Sequence, residues 1–173
     1  MAKLPRKAHM TYLDTTFTDV DDFLSVSPTT PAWYLVGKDV EDMSVEMNSE
    51  TDQTTNILDE TTTTDNGYKP SISVDTYKAD PSDGQFYTKM KDITMNRRTG
   101  DACKTKILEF WVDSEEGPWE AWIEDVVIKP QSYGGATGAI SIPYNVNYDG
   151  HRVEGTVTLS GTDKRIAEFT KKS

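Results

Sequence analysis

Cysteine is nearly missing from these 173 residues and histidine is scarce: the chain has one Cys, Cys103, and two His, His9 and His151. A single cysteine rules out an intramolecular disulfide, so the fold must be held by its core. Two histidines far apart in sequence supply little for imidazole-based proton transfer, although carboxylates remain available. No Gly-x-Ser-x-Gly elbow is present, and no Cys/His cluster has metal-ligand spacing. No apolar run approaches the roughly 20 residues that cross a bilayer. Basic residues are also few, 18 against 29 acidic, and the net charge of −11 argues against nucleic-acid binding by phosphate neutralisation. The N-terminal Met1-Ala2-Lys3-Leu4-Pro5-Arg6-Lys7 is basic, but no apolar stretch follows it. The expectation is therefore a chain without a signal peptide, retained in the cytosol.

Three stretches approach a chemical motif, and none completes it. Gly134-Gly135-Ala136-Thr137-Gly138 lacks the Lys-Ser/Thr of a phosphate loop and lies between two strand patterns, so it reads as a hairpin connection. Asp19-Val20-Asp21-Asp22 lacks the glycine and terminal glutamate of a calcium loop, which leaves a solvated turn or a helix start. Glu120 and Glu124 could pair as glycosidase carboxylates, but an acidic chain produces such pairs by chance. No catalytic residue, metal or cofactor is expected.

What is present suits one β-rich domain. The chain is long enough for a single core, with 35% hydrophobic and 10% aromatic residues. Residues 1–31 read as an N-terminal arm: Leu4, Met10, Tyr12, Leu13, Phe17, Phe23 and Leu24 are scattered, and Ser27-Pro28-Thr29-Thr30-Pro31 closes the segment stiffly. Such an arm packs either on its own domain or on a neighbour. Period-two alternation then marks strands at 32–37, 43–48 and 71–77. Between them, residues 49–69 are polar, with four consecutive threonines and only Ile57 and Leu58 as apolar anchors. That is a long loop or extended finger, and a loop of this length usually makes contacts.

One helix is predicted over about 81–95. Asp80-Pro81-Ser82-Asp83 supplies its cap, and Phe86, Met90 and Ile93 its apolar face. Strands follow at 106–113, 119–129, 140–148 and 153–159, with Asp149-Gly150 as a tight turn and 161–173 as a short C-terminal tail. The fold class is mostly β, a sandwich or barrel with one helix packed on it.

The order of these segments resembles the major tail, or tail tube, proteins of long-tailed bacteriophages, a family related to the tube proteins of contractile tails and type VI secretion. The resemblance rests on the arm before Trp33-Tyr34-Leu35-Val36-Gly37, the Thr-rich loop, the single helix, and the segment 119–130 joined through Ser132-Tyr133-Gly134-Gly135-Ala136 to a further strand. It covers residues 32–160 and carries no catalytic signature. It implies stacked hexameric rings whose paired strands form a continuous inner β-barrel. The lumen would be negatively charged and would pass DNA during genome ejection without binding it. The implied partners are further copies of the chain and the tape measure, distal tail and terminator proteins, with no membrane. The implied location is the virion tail, assembled in the host cytoplasm.

A charge of −11 suits a channel that repels phosphate over the Debye length of about 10 Å. The candidate lumen residues are Glu46, Asp75, Glu124 and Asp125. The last two point to opposite faces of one strand, so only one of them faces the channel unless a bulge intervenes. Candidate contacts between subunits or rings are Tyr12, Phe17, Phe23, Leu24, Ile57 and Leu58. The alternative is a carbohydrate-binding β-sandwich in which Trp33, Trp119 and Trp122 offer stacking surfaces.

Overall fold

The computed structural model describes residues 2–15, 33–161 and 164–172. Ten strands and one α-helix follow in order: β1 (His9–Asp14), β2 (Trp33–Leu35), β3 (Val45–Glu46), β4 (Thr51–Thr55), β5 (Thr61–Asp65), β6 (Ser71–Val74), α1 (Gln85–Met95), β7 (Lys104–Trp111), β8 (Trp119–Pro130), β9 (Tyr144–Ser160) and β10 (Ile166–Lys171). Eight strands form one antiparallel sheet in the order β2-β1-β7-β8-β9-β6-β3, with β10 on the far half of β9. β4 and β5 form a separate two-stranded hairpin. The mostly β class with a single α-helix is the class expected from the sequence.

Both faces of the sheet are covered, but over different halves. Adjacent residues of β1 and β7 point to opposite cores: Leu13 and Ile107 enter one cluster, Tyr12 and Leu108 the other. The first core is closed by α1, whose Phe86, Met90 and Ile93 are buried. Phe86 stacks on Tyr34 at 3.9 Å between ring centroids and meets Tyr77 and Tyr144 edge-on. The helix ends where the sequence places it but starts four residues later than expected, at Gln85. The Asp80 carboxylate accepts from the Ser82 N–H and starts a 3-10 turn at Pro81–Asp83, and Gly84, at φ 69°, redirects the chain into α1.

The second core contains Phe110, Trp119, Ala121, Ile123, Val157, Ala167 and Phe169. The Tyr12 hydroxyl donates to the Arg165 carbonyl at 2.7 Å, although β1 and β10 are far apart in strand order. The sheet therefore curls back on itself at this end. Gly155 permits the closest approach: a Cβ there would lie 2.3 Å from the Thr170 carbonyl and 2.4 Å from the Phe169 ring.

Three expectations are corrected. The segment 9–14, expected within an N-terminal arm that packs on its own domain or on a neighbour, is a strand of this domain's sheet, paired with β2 and β7, and Tyr12 is 1% exposed. Tyr12 is thus part of this domain's own core and presents no surface to a neighbour. Asp149-Gly150 does not end a strand, because β9 runs through it. Three steps along β8 from Ile123 to Val126 are matched by five along β9 from Val153 to Tyr148. The two extra residues are absorbed by a bulge at Gly150 (φ 96°) and His151 (φ 56°). Finally, residues expected in a C-terminal tail form β10, with Ala167 and Phe169 buried.

Candidate assembly surfaces

The finger at 49–69 is a hairpin rather than a loop. Every residue of β4 and β5 is exposed, so threonine serves here as a strand former that tolerates water on both faces. The tip is ordered by Asn56, whose side-chain oxygen accepts from the Leu58 and Glu60 N–H groups at 2.9 and 3.0 Å. Ile57 and Leu58 stand on that tip, 99% and 71% exposed. Two large aliphatic side chains held in water on a rigid turn are the strongest contact signal in the described residues.

A second surface is the uncovered polar face of the sheet, behind the first core. Register places Lys104, Val127, Asn147, Ser71 and Glu46 in one row across five strands. Ser73 lies on the same face, and its hydroxyl donates to Asp75 at 3.1 Å. Of the four expected lumen residues, Glu46 stands in this row opposite Ser71, and Asp75 follows just beyond the end of β6, held by Ser73. Asp125 lies on this face too, but at its buried margin, ion-paired with Lys106 and with His151. Burial raises its carboxyl pKa, yet the hydrogen bonds from Lys106 and His151 outweigh that and hold it below the ordinary carboxylate range. The face is not uniformly acidic. Carboxylates occupy the β3–β6 side, while Lys104 and Lys129 lie on the β7–β8 side, with Lys129 donating to the Arg98 carbonyl.

Glu124 is on the opposite face and is 8% exposed. It accepts from the Gly150 N–H at 3.2 Å and from Arg152 at 3.0 Å, which stitches the bulge to β8. Its charge is used inside the domain, so it does not share a surface with Glu46 and Asp75. Phe17, Phe23 and Leu24 fall outside the described residues.

A third feature has no counterpart in the sequence reading. On the Glu124 face a groove of about 790 Å³ runs past Met47, Tyr68, Trp111, Trp122 and Arg152. The Arg152 guanidinium sits 5.6 Å from the Trp122 ring centroid. These residues come from five separate parts of the chain, and no local pattern joins them.

The nearly whole-length likeness to two solved structures decides the fold comparison. The first is the sheath/tube terminator of an extracellular contractile injection system, PVC, in its extended state. It is 8% identical with a TM-score of 0.51, over 89% of this chain and 97% of that one. The second is the tube-terminating cap of the anti-feeding prophage, at 12% identity and a TM-score of 0.50, over 90% and 93%. This chain shares the fold of tube-terminating proteins. No known family matches the sequence, and no curated protein matches it.

The three tryptophans of the sugar-binding alternative are spread over different surroundings, and of them Trp122 lines the groove, with Arg152 over its ring. Trp119 is 9% exposed and donates its indole N–H to the Ser114 carbonyl, and Trp33 packs on the second core. Among the described residues no three His, Cys, Asp or Glu side chains lie together where they could hold a metal ion. No helix among them is long and apolar enough to cross a membrane.

Proposed function

We propose that this chain is a structural subunit of a tail-like tube, assembling into rings at or near the end of the tube. The carrying observation is the fold likeness to a tube terminator and a tube cap, which spans about nine-tenths of this chain and of each of theirs. Two further features support it. The hairpin projects an apolar tip that its own domain does not bury. Glu46 on β3 and Asp75 just past β6 are exposed carboxylates at the polar face, of the charge that a channel wall repelling phosphate requires.

In this reading six copies close a ring with that face inward, and rings or neighbouring tail proteins stack through the hairpin. Glu46 and Asp75 line a channel through which DNA passes without being held. The partners are other copies of the chain and the tape measure, distal tail and terminator components, in the tail of a virion. Of the tryptophans that the sugar-binding reading would use, Trp119 is buried and Trp33 packs on the second core, which favours the tube reading. Electron microscopy of the purified chain tests the proposal: rings or short tubes with an open centre are expected. A monodisperse monomer at high concentration would refute it.

A further inference from the structure

The hairpin tip and the Trp111–Trp122 groove are complementary to each other and out of reach of each other within one chain. Five large apolar side chains sit exposed on these two features: Ile57 (99%) and Leu58 (71%) on the tip, Met47 (50%), Tyr68 (59%) and Trp111 (59%) on the groove. We propose that Ile57, Leu58 and Asp59 of one copy dock in the groove between Met47, Tyr68, Trp111 and Trp122 of a second copy, an inference that rests on the ring-forming reading above.

Charge selects the partner. Arg6 lines the groove and donates to the carbonyls of His9 (3.1 Å) and Met43 (2.8 Å), and among the described residues no carboxylate pairs with it. At the tip, the N–H of Asp59 donates to the Asn56 carbonyl at 3.1 Å, while its exposed carboxylate has no hydrogen bond or ion pair among the described residues. In a protein of net charge −11 an uncompensated guanidinium beside an apolar groove is the exception, and an acidic apolar turn fits it. The groove also holds unmet polar groups: one carboxylate oxygen of Glu109 and the Tyr148 hydroxyl are buried without a partner. A docked backbone brings the N–H and C=O groups that such atoms need.

The occupant is a second copy because the first cannot reach. Met47 and Tyr68 are at the base of the hairpin, and the pairing continues below the strands through Lys69 N–H to the Met47 carbonyl. At about 3.3 Å per strand residue the tip stands up to roughly 30 Å from its own groove. Tip into groove is a heterologous contact, which closes a ring or propagates a stack. The Asn56 hydrogen bonds fix the tip before docking, so little entropy is lost on association.

Mixing two separately tagged variants, Leu58→Cys and Met47→Cys, and oxidising the mixture tests the contact. A disulfide-linked heterodimer is expected from the mixture and from neither variant alone. Replacing Asp59→Arg should raise the concentration for half-assembly about tenfold, and Arg6→Asp in the same chain should recover it. If rings form in the microscope but no Leu58→Cys to Met47→Cys link is trapped, the groove is not the acceptor and the ring reading stands. If neither rings nor links form, both fail.

Discussion

Gly155 is the residue whose substitution the structure forbids most directly. It lies where β9 pairs with the end of β10, opposite Lys171, and any side chain there meets the Thr170 carbonyl and the Phe169 ring. Gly155→Ala should cost about 1–3 kcal/mol through overpacking, read as a lower Tm with the β-type circular dichroism retained. An unchanged Tm would mean that β10 is not seated on β9 as described. Acid sensitivity is a second residue-scale prediction. Asp80, held down by Lys38 and by Ser82, Asp92, held down by Asn96 and Arg98, and Asp125 all titrate below ordinary carboxylates. Groups with a depressed folded-state pKa add stability above their unfolded value of about 3.9 and lose it as pH falls through the folded one. Stability should therefore be flat from neutral pH to about 5 and drop below about 4. Asp125→Asn should make that drop shallower, as urea midpoints measured across the range would show.

Among the elements, α1 and the hairpin have opposite tasks. Phe86 is fully buried among Tyr34, Tyr77 and Tyr144, so Phe86→Ala should cost about 3–5 kcal/mol and unfold the domain at modest temperature. The hairpin touches water on every side. Replacing residues 50–67 with a short turn should leave Tm within a few degrees and abolish ring formation, checked by sedimentation and microscopy; a large fall in Tm would make the hairpin part of the fold. The same contrast explains what the sequence could reveal. α1 and β8 were legible because one face is dry and the other wet, so apolar residues recur at the period of the element. β1 was not: Thr11, Tyr12, Leu13 and Asp14 are all buried, since cores cover both faces, and a strand dry on both sides shows no alternation. β4 and β5 were hidden for the reverse reason, being wet on both sides. Asp149-Gly150 has the composition of a hairpin turn, but β8 pairs with β9 before and after it, at Tyr148 and at Val153, so the strand runs on and the pair becomes a bulge.

For the whole molecule, the curl of one sheet around two cores leaves two surfaces that no element of the described chain covers. Glu46 and Asp75 could be named as exposed positions from the sequence because each alternates with apolar neighbours, and both are exposed. The groove could not, because Met47, Tyr68, Trp111 and Trp122 meet only through tertiary folding. If the polar face lines a channel, Glu46→Lys with Asp75→Lys puts a belt of cations around the passing duplex in every ring. Counterion release then makes DNA retention salt-sensitive: ejection should slow at low salt and recover at high salt, with tubes still assembling. Ejection unaffected at both salt concentrations would remove these carboxylates from the DNA path. The most direct test of the account is a cryo-EM reconstruction of the purified chain at side-chain resolution. The account predicts a closed ring with Glu46 and Asp75 facing the central opening. A ring with that face turned outward, or a chain that remains monomeric, would contradict it.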